Sequence, residues 1–251
     1  MIAMFLRDKF RRLVPGATIS WLKDQVGAPD MLHLLQQLKL KGFKPTVAVD
    51  IGAFEGQWSL QARKVFPDLK LLLIEPLPEK RAEIEELARS IGAESRFRLL
   101  SDKAGEVVSF YVGSCGSSIH EPKRFESQYS LEIETTTLDE LLASSHFEAP
   151  NIIKIDVQGA EDRVLRGGEN VLKNAEVLII ELSIVNSYSQ GLLVHDMINF
   201  LAQRNLYLYD VAGLLRANRT RSVNEFDGVF VRKDSPLWDL RHFLPEEAPE
   251  P

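Results

Sequence analysis

The sequence predicts a doubly wound α/β domain built on a mostly parallel sheet. Three observations carry that reading. From Thr46 onward short apolar runs alternate with stretches of helical spacing, the pattern of parallel strands joined by crossover helices. The first run, Val47 to Ile51, is apolar on both faces up to Asp50 and leads at once into glycines, as a buried strand entering a tight turn does. The last two runs, Leu206 to Val211 and Phe226 to Val231, have no convincing helix between them. They are therefore expected as an antiparallel pair at one edge.

In chain order, residues 1–43 are expected to be an N-terminal helical extension. Met31 to Leu40 places apolar residues at helical spacing, Gly42 ends that helix and Pro45 introduces the first strand. Residues 44–233 make the α/β domain, and 234–251 a tail that is disordered from Pro245. Within the domain a helix from Ser59 to Phe66 stops at Pro67, and Lys70 to Glu75 is the second strand. A helix from Pro78 to Arg89 follows, then a third strand from Phe97 to Leu100 and an extended piece from Glu106 to Val112. Leu138 to Leu142 is a short helix, Ile152 to Val157 a buried strand, Glu161 to Leu165 a helix, Val177 to Leu182 a strand and Leu192 to Gln203 a helix. Gly113 to Ser118 reads as a flexible loop, and the segment from Gly113 to Ser130 as a mobile cover over a pocket.

Composition narrows the function classes. A formal charge of −6 leaves no basic surplus to displace counterions from a phosphate backbone, so a nucleic-acid partner is not expected. The single cysteine, Cys115, forms no intrachain disulfide and fits a reducing, cytoplasmic setting; as a lone loop thiol it is read as incidental. No apolar run approaches the ~20 residues that span a bilayer. The first residues are interrupted by Arg7, Lys9, Arg11 and Arg12 too early for a signal peptide. They read as a short amphipathic helix, packed on the domain in preference to lying on a membrane surface.

Chemistry concentrates at strand ends. Val49-Asp50-Ile51-Gly52-Ala53-Phe54-Glu55-Gly56-Gln57 joins a buried strand to a helix, the setting of a nucleoside-binding turn. Gly52 lets the backbone turn and approach a ligand, and Gly56 opens the helix without a Cβ in the way. The spacing is not that of a pyrophosphate cradle. The acid at Asp50 suits an ammonium or sulfonium group better than a phosphate; a tight turn with no ligand is the plainer alternative. Glu75 ends the second strand, 25 residues on, where a carboxylate can accept hydrogen bonds from both hydroxyls of a ribose. Asp102, after Ser101, either contacts a nucleobase or closes an Asx-type turn. Asp156 and Glu181 leave neighbouring buried strands toward the expected cleft and are the candidates for catalysis. Two such carboxylates could also share a divalent cation, although no third ligand is identifiable, so no metal site is assigned. Glu161 and Asp162 are read as charging a helix start. The histidines are read as structural: His33 and His195 on helix faces, His120 as an exposed loop residue, His146 and His242 without a pattern.

These blocks resemble the FkbM family of methyltransferases. The similarity lies in Val49 to Gln57, Ile74-Glu-Pro76, Ser101 to Glu106, Thr135 to Leu141, Ile153 to Glu161 and the late strand Phe226 to Arg232. It runs in order over residues 45–232. The resemblance implies a Rossmann-like, seven-stranded fold with S-adenosylmethionine as methyl donor. It assigns Asp50, Gly52, Ala53 and Gly56 to the first cofactor motif, Glu75 to the ribose, and Ser101 and Asp102 to the adenine side. It implies a small-molecule, sugar or polyketide-type acceptor, methylated on oxygen. Two positions depart from the family pattern: Phe54 stands where Asn is frequent, and Ala160 where an aromatic residue is frequent. Two rival readings remain at this point: a nucleotide-dependent oxidoreductase or epimerase, which calls for a pyrophosphate loop, and a binding module that keeps the fold without turnover.

Overall fold

The computed structural model describes residues 29–239 apart from 114–115, 124–126, 144, 186 and 218. Helix α1 (Met31–Leu40) starts at an Asp30 cap and buries Leu34, Leu35 and Leu38. Strand β1 (Val47–Ile51), helix α2 (Gln57–Val65), strand β2 (Lys70–Ile74) and helix α3 (Arg81–Ile91) follow, with a 3-10 turn at Pro78–Lys80 before α3. After them come β3 (Glu94–Arg96), β4 (Leu99–Leu100), β5 (Val107–Gly113), β6 (Gly116–Ser118) and β7 (Tyr129–Thr136). The chain continues with α4 (Leu138–Leu142), β8 (Ile152–Ile155), α5 (Glu161–Arg166), α6 (Glu169–Leu172) and β9 (Val177–Ser183). It closes with α7 (Val194–Ala202), β10 (Leu206–Arg216), β11 (Val223–Arg232) and a 3-10 turn at Pro236–Trp238.

Seven strands form the main sheet in the order β10-β11-β9-β8-β1-β2-β3. β1 pairs in parallel with β2 and β8, and β8 with β9. β11 runs antiparallel to both β9 and β10, so the antiparallel pair stands at one edge with the reversed strand one place in from the rim. Both faces are covered. Val49, Ile51, Leu72, Ile74, Ile153, Ile155, Leu178 and Ile180 pack in one layer with Leu138, Val164, Leu165, Phe200 and Leu201. Ala48, Leu71, Leu73, Ile152, Val177, Ile179, Val229 and Val231 pack in the other with Leu34, Leu38, Trp58, Ala62 and Ile84. This period-2 division of strands that are apolar throughout is what a two-sided sheet requires.

Three expectations need correction. The third strand of the main sheet is Glu94–Arg96, not Phe97 to Leu100; the apolar Leu99–Leu100 instead pairs with Thr135–Thr136 in a separate sheet. That second sheet, ordered β4-β7-β5-β6, was not anticipated, because β6 and much of β7 are polar. Within the segment expected to be a loose cover, Gly116–Ser118 is a strand of the β5–β6 hairpin. Ser189 N donates to Glu121 O (2.8 Å) and Lys123 N to Ser187 O (2.9 Å), which ties the segment to the loop after β9. The loop thiol Cys115, the basic run from Arg7 to Arg12, His242 and the tail from Pro245 lie outside the described residues.

Candidate active site

Alternation decides where the strand-end charges go. Asp50 shares its strand face with Ala48, the face covered by α1 and α2. The carboxylate of Asp50 therefore turns toward α2 and accepts from Ser59 Oγ at 2.7 Å. Burial pushes it up to about 6, although the Ser59 hydrogen bond and the Lys154 charge oppose this. Because the carboxyl is easier to protonate in the folded chain than in the unfolded one, it weakens the fold as pH rises from about 4 to 6, and the penalty is fully present at pH 7. Asp50→Asn is thus expected to melt at a higher temperature than the parent at pH 7 and at the same temperature near pH 4. An advantage that did not grow with pH would count against a buried, charge-strained Asp50.

The turn after β1 is crowded by the chain itself. Gly52 has φ +78°, and a Cβ there would lie 1.9 Å from the backbone oxygen of Asp156. The freedom of Gly52 is thus needed first for contact with the loop after β8. At Gly56 (φ +69°) a Cβ would meet Leu87 Cδ2 at 2.1 Å, so that glycine admits α3 close to the start of α2. Gly52→Ala combines a positive φ with a backbone clash and is expected to cost well over about 1 kcal/mol of stability. A thermal melt unchanged within a degree would contradict the close approach.

A cavity of about 460 Å³ opens at the carboxyl edge of the main sheet and is roofed by the second sheet. Its size is that of a small-ligand site. Ile51, Ile74, Leu77, Leu99, Leu100, Phe110 and Val112 give it an apolar wall; Gly52, Glu75, Asp156 and Gln158 give it polar points. Glu75 is buried and accepts from Phe54 N (2.8 Å) and Leu77 N (3.0 Å), one bond to each oxygen. Each oxygen keeps a lone pair for a ligand. Burial raises its pKa. The cavity thus sets apolar side chains beside carboxylates, Glu75 and Asp156 among them. Phe54, held at φ +50°, is half exposed on the same wall, with Lys80 Nζ 4.0 Å from its ring centre. Asparagine tolerates that backbone region better than phenylalanine, which gives physical content to the departure at this position.

Asp156, on the cavity wall, belongs to a charged cluster. Lys154 shares its parity with Asp156, and the pairing register brings both beside Glu181 on β9 and Asp227 on β11. The buried Lys154 Nζ lies 3.0 Å from Asp227 Oδ1 and 3.3 Å from Asp156 Oδ2. Burial alone would lower the Lys154 pKa, but the charges of Asp156, Asp227 and Glu181 outweigh it and hold the ammonium well above its ordinary value. Gln158 Nε2 donates to Asp156 Oδ1 and to Glu181 Oε2, each at 2.9 Å. Burial, then the charges of Asp156 and Glu161, raise the Glu181 carboxyl well above the usual range. Glu161 does more than charge a helix start: its Oε1 accepts from Val157 N (3.2 Å) and Gly159 N (3.0 Å). It thereby shapes the loop that carries Gln158, and burial pushes it up to about 7.

Of the residues read from the sequence, the structure brings Gly52, Glu75 and Asp156 to the cavity wall. Asp50, Ala53, Gly56, Ser101 and Glu181 do not line it. Asp102 accepts from Ser101 Oγ (3.0 Å) and pairs with Arg163 (3.4 Å), so the structure ties it into a turn and an ion pair. His120 is buried, not exposed, and burial together with the Arg163 charge lowers its pKa. Sequence reasoning missed Lys154, Gln158, Tyr188 and Asp227. A cation between two apolar residues in Ile153-Lys-Ile155 was the available signal, since a buried lysine demands carboxylate partners. Among the described residues no group of three or more His, Cys, Asp or Glu side chains is placed to hold a metal ion. No helix among them is long and apolar enough to cross a membrane.

A two-sided, mostly parallel sheet with a cavity at its carboxyl edge places the domain in the Rossmann-like α/β class. Residues 50–209, more than half of the chain, match the Methyltransferase FkbM domain, and the chain belongs to that family. It is an S-adenosylmethionine-dependent methyltransferase. It is similar to the 2-O-methyltransferase NoeI of Sinorhizobium fredii, 27% identical over 175 residues that cover 62% of this chain and 70% of that protein. It is also similar to the hexuronic acid methyltransferase AglP of Haloferax volcanii, 33% identical over 94 residues, covering 33% of this chain and 39% of that protein. Among solved structures, a putative O-methyltransferase from Klebsiella pneumoniae aligns with a TM-score of 0.47 at 14% identity, over 90% of this chain and 95% of that one.

Proposed function

We propose that the protein methylates a hydroxyl group of a sugar-like acceptor, with Asp156 as the base that receives the hydroxyl proton. The observation that carries the reading is that one cavity is lined by both Glu75 and Asp156. When bound, S-adenosylmethionine supplies an electrophilic methyl group on a sulfonium sulfur. Glu75 would hold its ribose, the turn Gly52–Gly56 would frame it with Asp50 and Ala53 bracing that turn, and Ser101 and Asp102 would close the adenine side. Asp156 sits with part of its carboxylate open and Lys154 beside it, placed to receive a proton as the acceptor oxygen is alkylated. The roof formed by β5 and β6 limits water around the reacting oxygen. The names of the two relatives, one a 2-O-methyltransferase and the other a hexuronic acid methyltransferase, favour a glycan hydroxyl over a polyketide one. The reading extends to a cytoplasmic setting, in keeping with a single cysteine.

The test has two parts. Calorimetric titration of S-adenosylhomocysteine should show saturable binding that Glu75→Ala weakens at least tenfold, the effect of losing hydrogen bonds to a charged group. Transfer of labelled methyl to a panel of methyl glycosides and hexuronates should then single out an acceptor. A folded protein that binds S-adenosylhomocysteine but labels no glycoside or hexuronate would refute the sugar assignment; one that does not bind it would refute the donor site.

A further inference from the structure

The amide of Gln158 occupies the position between Asp156 and Glu181 that a bridging cation would take. Its Nε2 is 2.9 Å from an oxygen of each carboxylate, and its Oε1 accepts from the Tyr188 hydroxyl at 2.9 Å. That set of partners fixes which end is oxygen, since a carboxylate accepts and a tyrosine hydroxyl can donate. The residue is held at φ +57°, a backbone state that a non-glycine residue keeps only where its surroundings enforce it. They do so from two sides. A Cβ on Gly116, in the roof, would lie 2.5 Å from Gln158 Oε1, and a Cβ on Gly159 would lie 2.8 Å from Tyr188 Cδ2. Two glycines therefore leave room for one side chain and for the tyrosine that orients it. Lys154 adds the full positive charge from below, 3.3 Å from Asp156.

We propose that Gln158 is a positioning residue that keeps the Asp156–Glu181 pair free of metal, so that the acceptor hydroxyl is deprotonated by a carboxylate without a divalent cation. The two N–H bonds from one nitrogen hold the carboxylates at a fixed separation. Lys154 supplies the compensating charge that a metal would otherwise bring. The proton of the acceptor would pass to Asp156, the acceptor oxygen would take the methyl group as the donor's S–CH3 bond breaks and S-adenosylhomocysteine leaves with the electron pair, and the carboxyl would later release the proton to water. This rests on the methyltransferase reading for the identity of the acceptor, but the metal question can be answered without any acceptor.

The experiment is titration of MnCl2 into the full-length protein, followed by electron paramagnetic resonance of free Mn2+. The unaltered protein should take up no Mn2+ saturably below about 1 mM, the weak end of carboxylate sites. Gln158→Glu replaces the amide by a third carboxylate of the same shape and should create a site that binds Mn2+ at least about tenfold more tightly, because oxygen donors suit that ion. Saturable uptake by the unaltered protein that Asp156→Asn abolishes overturns the proposal. So does a folded Gln158→Glu protein with no gain in uptake, since a merely structural glutamine would leave metal affinity unmoved. If Gln158→Glu does not fold, the titration of the unaltered protein and of Asp156→Asn still decides. Binding of S-adenosylhomocysteine in the same preparation reports on the donor site separately, so failure of one reading is not mistaken for failure of the other.

Discussion

Lys154→Met should lower the stability of the fold by about 3–5 kcal/mol at pH 7, the usual result of stripping a buried carboxylate cluster of its counter-charge. For a domain of this size that is roughly 6–20 °C in melting temperature. The cause is specific. Asp156 and Asp227 both contact the ammonium and Glu181 stands near it, and methionine fills the volume while removing only the charge. Folding raises the lysine pKa above its ordinary 10.5, so its stabilisation is intact at pH 7 and is lost only as pH rises through the folded value. The deficit of the variant should instead narrow on acidification, as the Glu181 carboxyl, which burial already raises, protonates and needs no partner. Melting curves at pH 7 and pH 5 test both statements. A variant within about 2 °C of the parent at pH 7 would show that the cluster is neutralised in some other way.

Asp156→Asn carries the largest expected effect on activity. Losing a positioned base costs about 10²- to 10⁴-fold in turnover, whereas the asparagine can keep a hydrogen bond to Gln158 and leaves Glu75 untouched. Turnover on the acceptor singled out by the glycoside and hexuronate panel should collapse, with S-adenosylhomocysteine affinity changed by less than about threefold. Full turnover in this variant would remove Asp156 from the reaction. A parallel loss of donor binding would mean instead that Asp156 shapes the turn at Gly52, whose position its backbone oxygen already limits.

The parts of the fold that were legible in the sequence are those whose burial leaves a simple mark. β1, β2, β8 and β9 are runs of valine, leucine and isoleucine because both their faces are covered. β11 is apolar over Val229–Val231, where it pairs with Val177–Ile179 of β9, and α1 shows its buried stripe plainly. The second sheet escaped because it has one wet face. β7 alternates exposed Glu132 and Glu134 with half-buried Leu131 and Ile133, a period-2 signal diluted by serine and threonine. β3, Glu-Ser-Arg at the sheet edge, has no apolar signature, so the neighbouring Phe97 to Leu100 drew the assignment instead. At the site, acids at strand ends were visible as departures from apolar runs. Which of them face the cavity was not, because a strand apolar on both sides does not announce its faces. Asp50 and Glu75 end neighbouring strands yet stand in different places: Asp50 on the α2 side, Glu75 one residue beyond β2 on the cavity wall. Gln158 and Tyr188 were invisible because they meet only through the folded loops.

Thr135 closes the second sheet where it leaves and rejoins the chain. Gly105 N donates to Thr135 O, Thr135 N to Glu106 O, and Thr135 Oγ1 to Lys103 O, at 2.8–2.9 Å. Residues 106–134 thus depart and return through one doorway, and most of what roofs the cavity lies between its posts. A stretch clamped in this way can vary in sequence between its posts while its two ends keep their place beside the main sheet.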